Sequence, residues 1–160
     1  MDKQYHPVEI EEKWSKIWSE RVISNKDSDT SFSQVIPPPN VTGTLHMGHS
    51  FQYAIMDFYT RYHHMSGKDA HWQVGSDHAG IATQMVVENN LAKKEVTRLE
   101  LGREEFLDEV WSWKDYSEEK ITSQIKRLGC SVDWNKYRFT LDDGCNDAVI
   151  KAFVELHRRN

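Results

Sequence analysis

Apolar residues change their period several times along the 160-residue chain, and each change marks an element. Ile10, Trp14, Ile17 and Trp18 recur at helical spacing from Pro7, a residue suited to a first helical turn, to about Glu20. This spacing predicts an amphipathic helix laid against the core, with both tryptophans packing. Ser24–Ser31 is polar and turn-rich, a loop. Phe32, Gln34 and Ile36 then alternate with Ser33 and Val35 ahead of a proline run, the pattern of a short, largely buried strand. Phe51, Ile55, Phe58, Tyr62 and Met65 mark one face of a helix running from about Leu45 to Met65, with Gly67 as its stop. His63 and His64 are read as solvent-facing or packed at that end, and His71 as structural. Asp69–Val74 reads as a second parallel strand with Gly75 at its carboxyl end, and Gly80 to about Leu91 as the next helix.

Beyond it, Lys93–Glu100 is charged and irregular. Phe106, Val110, Trp113, Ile121, Ile125 and Leu128 keep helical spacing between Gly102 and Gly129, with Glu104, Glu105, Asp108, Glu109, Glu118 and Glu119 as an ordinary solvated face. A turn over Gly129–Trp134 follows. Thr140-Leu141-Asp142-Asp143 reads as a capping-box variant opening a helix with Cys145, Val149, Phe153 and Leu156 on one face. That helix shows no stop signal before Asn160. There are no internal repeats. Strand, loop and helix in alternation predict an α/β fold of short parallel strands in mostly helical surroundings.

The chemistry concentrates between the first strand and the second helix, in Pro37-Pro38-Pro39-Asn40-Val41-Thr42-Gly43-Thr44-Leu45-His46-Met47-Gly48-His49. Three prolines stiffen the exit from the strand. Gly43 and Gly48 permit a turn and a close approach. His46 and His49, three apart, fall near one face of a first helical turn. Unpaired N–H groups and a positive dipole make that turn an anion site. Two imidazoles there suit a phosphate and the charge that develops on it. Ligands of open parallel sheets bind beyond the carboxyl ends of the strands, where the prolines begin. Asp77, in Gly75-Ser76-Asp77-His78-Ala79-Gly80, falls at the same sheet edge after the second strand. Its plainest reading is a helix cap.

Composition narrows the classes. The net charge of −5 does not mark a general nucleic-acid binder. The two cysteines, Cys130 and Cys145, form neither a disulfide framework nor a C-x-x-C site and read as reduced thiols of a cytosolic protein. No apolar stretch reaches membrane-spanning length, so no membrane is expected. No acidic cluster forms a dedicated metal cage.

His46-Met47-Gly48-His49 resembles the HIGH signature of class I aminoacyl-tRNA synthetases. The longer strings Pro37–His49 and Gly75–Gln84 resemble the valyl-tRNA synthetases within that family, across the whole chain. The resemblance implies the first half of a Rossmann-like nucleotide-binding domain, incomplete over residues 32–160, after an N-terminal helix and loop over residues 1–31. It implies ATP, with Mg2+ arriving on ATP, and valine and tRNA(Val) as partners. His46 and His49 would be catalytic. Thr44, His46, Gly48 and His49 would bind ATP. Pro38, Pro39 and Asn40 would wall the amino-acid pocket, and Asp77 would meet the amino acid's ammonium group. Gly48 would be small so that nucleotide comes close. The family's lysine-bearing KMSKS signature, its editing insertion and its anticodon-binding helices do not occur in these residues. The remaining half of the catalytic domain is therefore an expected partner, and the chain alone is expected to be inactive. Isoleucyl- or leucyl-tRNA synthetases, a non-catalytic nucleotide-binding remnant and another nucleotidyltransferase are the alternatives. Asn40 and Ala79 favour valine over its relatives, the intact His46/His49 pair argues against a remnant, and another nucleotidyltransferase does not account for Gly75–Gln84.

Overall fold

The computed structural model describes residues 4–19 and 28–159. The fold is α/β, mostly helical, with short parallel strands. Its elements are α1 (Pro7–Ser19), β1 (Ser31–Val35), α2 (Met47–Met65), β2 (Asp69–Gln73), β3 (Gly75–Ser76), α3 (Gly80–Ala92), α4 (Arg98–Leu101), α5 (Arg103–Arg127), β4 (Arg138–Phe139) and α6 (Asp143–Arg159). A 3-10 turn over Trp134–Lys136 precedes β4. The part of the predicted loop before Ser28 lies outside the described residues. The described chain divides into two compact units. One holds the described residues to Pro37, Leu45–Val74 and Lys120–Tyr137; the other holds Pro38–Thr44, Gly75–Glu119 and the described residues from Arg138.

In the first unit β1 and β2 pair in parallel from Ser31 with Asp69 to Val35 with Gln73. The ladder continues as Ile36 N–H donates to the Gln73 carbonyl at 2.9 Å. Ile36, Tyr53, Ala70, Trp72, Val74, Ile121, Ile125 and Val132 are buried. The strand is less buried than its alternation suggests. Val35 is 70% exposed, and among the described residues the Phe32 and Gln34 side is the partly covered one, where Gln34 meets α2.

The face α2 turns inward also differs from the expectation. Phe51, Phe58, Tyr62 and Met65 are exposed, while Tyr53 and Thr60 are buried. A polar contact sets this rotation. Gln34 Nε2 on β1 donates to the Met56 carbonyl and to Thr60 Oγ1, each at 2.6 Å, and Phe32 stacks on His63 with ring centroids 3.9 Å apart. A partly buried amide is best kept with such partners, so the helix presents Thr60 to the strand and leaves the larger apolar stripe uncovered.

In α1 no described side chain is fully buried, so the expected core-packed helix is a half-exposed one. Trp18 lies on the Arg61 guanidinium, 5.0 Å from carbon to ring centroid. Arg61 bonds Asp57 at 2.7 Å and the Gly129 carbonyl at 2.7 Å, and Asp57 accepts from Ser131 N–H at 2.6 Å. These bonds tie the turn after α5 to α2. Burial and the nearby Asp57 push the Cys130 thiol up to about 12, which keeps it an uncharged, unreactive thiol at neutral pH.

In the second unit β3 and β4 pair in parallel, Gly75 with Arg138 and Ser76 with Phe139. A Cβ on Gly75 would meet the Arg138 carbonyl, so this close pairing needs glycine. Val87, Leu91 and Phe106 form a core, flanked by Leu101, Val110 and Trp113. The stretch read as irregular ends in the one-turn α4, opened by a Thr97–Glu100 capping box. The acidic face of α5 is not uniformly solvated either. Glu118 accepts from buried Ser76 Oγ at 3.1 Å and from Lys114 at 2.6 Å. Burial opposes the Lys114 charge, but bonds to Glu118 and Asp115 outweigh it and raise its pKa. In α6, Asp142 rather than Thr140 makes the cap: its Oδ1 accepts from Cys145 N–H at 2.8 Å, which lowers its pKa.

Candidate active-site residues

In the first unit the two histidines form the entry to α2. His46 is the N-cap, in an extended conformation. The preceding residue is anchored, as Leu45 N–H donates to Gln124 Oε1 at 2.9 Å. His46 Nδ1 accepts from Gly48 N–H at 3.0 Å, and His49 Nδ1 accepts from His46 N–H at 3.2 Å. This is a capping box built from two imidazoles. It fixes the chemistry of both rings. A neutral imidazole carries one proton, so a ring whose Nδ1 accepts is protonated at Nε2. Each ring thus offers one Nε2–H donor at the helix N-terminus. The rings lie 3.9 Å apart, tilted by 33°. Burial, then repulsion from His46, lowers the His49 pKa and favours its neutral form.

Gly48 has a structural reason to be glycine. A Cβ there would come within 2.8 Å of His46 Cε1, so any side chain displaces the capping ring. Thr44 is exposed just ahead of this turn, in the second unit. Below His49 the aromatic line continues through Tyr53 to Trp72, at centroid distances of 6.0 and 6.2 Å. Burial, then nearby Cys130, pushes the Tyr53 phenol up to about 12, so it stays uncharged.

In the second unit the structure brings together Pro39, Asn40 and Asp77. Asp77 N–H donates to the Pro39 carbonyl at 2.9 Å, and Val41 N–H to the Asp77 carbonyl at 3.0 Å, forming a parallel bridge between Asn40 and Asp77. Pro38 and Asn40 are exposed, Pro39 is buried, and Trp113 Nε1 donates to the Val41 carbonyl at 3.1 Å. The segment after β1 and the residue after β3 thus supply these groups.

Asp77 is not the N-cap of α3. That position is Ala79, with φ 41° and ψ 50° and no side-chain cap. A left-handed alanine costs about 1–2 kcal/mol; here it turns its N–H onto Asp77 Oδ1 at 2.9 Å. Asp77 Oδ1 also takes the Thr140 hydroxyl at 3.1 Å, and Thr140 Oγ1 lies 2.6 Å from His78 Nδ1. No sequence signal connected Thr140 to Asp77, because Thr140 fits a cap motif locally. Among the described residues no group of three or more His, Cys, Asp or Glu side chains is placed to hold a metal, and no helix is long and apolar enough to cross a membrane.

A family profile described as tRNA synthetases class I (I, L, M and V) matches residues 9–160. The valine–tRNA ligase of Acinetobacter baylyi is 56% identical over 154 residues, covering 96% of this chain and 16% of that protein. The valine–tRNA ligase of Francisella tularensis subsp. tularensis is 51% identical over 160 residues, covering 98% of this chain and 17% of that protein. The chain thus spans about a sixth of the length of these relatives. Among solved structures, the LeuRS of Agrobacterium radiobacter K84, in a ternary complex with tRNA and LeuAMS, shares the fold. Its TM-score is 0.75 at 21% identity, over 98% of this chain and 18% of that one. With the profile spanning nearly all of its residues and over half of them identical to these relatives, the chain belongs to the class I tRNA synthetases of the I, L, M and V group.

Proposed function

We propose that this chain is the HIGH-bearing part of a valine–tRNA ligase, with residues 32–160 forming the first part of its Rossmann-like catalytic domain. The whole enzyme activates valine with ATP and passes the valyl group to tRNA(Val), in the cytoplasm. The observation that carries this reading is the histidine pair at the N-terminus of α2, held as two Nε2–H donors. Identity to two valine–tRNA ligases along nearly the whole chain supports the choice of valine.

In activation a valine carboxylate oxygen attacks the α-phosphorus of ATP, an O–P bond forms, and pyrophosphate leaves. The protein's task is placement and charge stabilisation. His46 and His49 donate to phosphate oxygens, with Thr44 and Gly48 beside the nucleotide. Asp77 takes the valine ammonium, and Pro38, Pro39 and Asn40 wall the side-chain pocket. Mg2+ would come with ATP rather than from a site on this chain, and would offset phosphate charge. The remaining half of the catalytic domain completes the enzyme.

The test is a chimera in which these 160 residues replace the matching segment of the Acinetobacter baylyi enzyme. Valine-dependent ATP–pyrophosphate exchange is expected, and His46→Ala or His49→Ala lowers it about 10²–10³-fold. A folded chimera without valine-dependent exchange overturns the reading.

A further inference from the structure

The loop after β4 delivers Thr140 to the Asp77–His78 segment. Thr140 N–H donates to the Ser76 carbonyl at 3.1 Å, extending the β3–β4 ladder by one residue. The hydroxyl then has three neighbours: His78 N–H at 2.9 Å, His78 Nδ1 at 2.6 Å and Asp77 Oδ1 at 3.1 Å.

Valence fixes the direction of each bond. A hydroxyl has one hydrogen and two lone pairs, and an ionised carboxylate only accepts. The hydrogen therefore goes to Asp77. The lone pairs take the His78 backbone N–H and the ring, so the ring is protonated at Nδ1. Nδ1 also lies 3.4 Å from Asp77 Oδ1, a further reason for a proton there. The hydroxyl is saturated, and imidazole, hydroxyl and carboxylate form one directed chain. Oδ1 is held by two donors, Thr140 Oγ1 and Ala79 N–H. Oδ2 is left without a partner among the described residues.

We propose that Thr140 is a positioning residue for Asp77: its hydroxyl, backed by His78, holds Oδ1 and leaves Oδ2 for the ammonium group of the bound amino acid. This rests on the reading of Asp77 as the amino-acid carboxylate. The β-branched side chain suits the task, because its χ1 is stiff.

The test uses exchange kinetics in the chimera and ring 15N NMR of the 160-residue chain. Thr140→Val keeps the shape and removes the hydroxyl. Loss of one hydrogen bond to a charged group predicts a valine KM raised about ten- to a hundredfold, with the KM for ATP unchanged. Thr140→Ser returns the valine KM to near the starting value. By NMR, His78 is expected to be the Nδ1–H tautomer, and Thr140→Val to shift it toward Nε2–H. A Thr140→Val enzyme with unchanged valine KM, beside an Asp77→Asn enzyme with a raised one, overturns the proposal, as does equal loss for valine and ATP. If the unsubstituted chimera shows no valine-dependent exchange, the functional reading fails instead. The NMR arm then decides the geometry alone: an Nε2–H His78 in the unsubstituted chain overturns it.

Discussion

In the proposed site, His46 and His49 do two jobs with different ring atoms. Nδ1 of each ring closes the helix entry, and Nε2–H of each remains for a ligand. This arrangement is pH-sensitive with a definite sign. The His49 pKa is lowered from the usual 6.5, so the folded state binds its proton less well than the unfolded state. Its contribution to stability is complete above pH 6.5 and is lost as pH falls from there toward the folded value. Proton NMR of the His49 ring is expected to give a midpoint below 6.5, and His46→Ala to raise it. A midpoint at 6.5 or above in the unsubstituted chain contradicts the account. The histidine pair was legible in the sequence because its bonds are local, within three residues. The Thr140–Asp77 pair was not, because the two are 63 residues apart and only strand pairing brings them together. Glu118 was misread for a related reason: its helical face alternates charges like a wet one, but buried Ser76 arrives from a distant segment.

At the scale of elements, two glycines that end helices separate backbone strain from crowding. Gly102 has φ +78° and open space where a Cβ would go. Gly129 has φ +72°, and a Cβ there would lie 2.6 Å from the Trp18 ring. Gly102→Ala is expected to cost about 1–2 kcal/mol, the left-handed penalty alone. Gly129→Ala is expected to cost about 1–3 kcal/mol more, because the ring packed on Arg61 must also move. Urea denaturation of the two variants side by side measures the difference; equal costs would mean that Trp18 yields freely. Breaking the Lys114–Glu118 pair by Glu118→Ala is expected to cost on the order of 3 kcal/mol, because both side chains are mostly buried and the lysine keeps its charge. The order and type of the main elements followed from apolar spacing, helix stops and proline. The inward face of α2 did not, because the choice between two competing stripes depends on a glutamine in another element. The short β3, β4 and α4 carry too few residues to show a period at all.

At the scale of the molecule, each unit draws on three separated stretches of sequence. Nothing local in the chain announces such a division. The 160-residue chain by itself is expected to form no valyl-tRNA, since it spans only about a sixth of the length of the valine–tRNA ligases it matches; aminoacylation by the purified chain would refute this. The parallel pairing of β3 with β4 has a kinetic consequence. His78 and Thr140 are 62 residues apart, and that contact cannot form until the later residue exists. At the usual pace of synthesis, roughly 5–20 residues per second, Asp77 leaves the ribosome about 3–13 s before its threonine. During that interval the aspartate motif is covalently complete and structurally unfinished. A nascent chain arrested before β4 would carry the carboxylate without the hydroxyl that orients it, so this part of the site matures only when its last strand is translated.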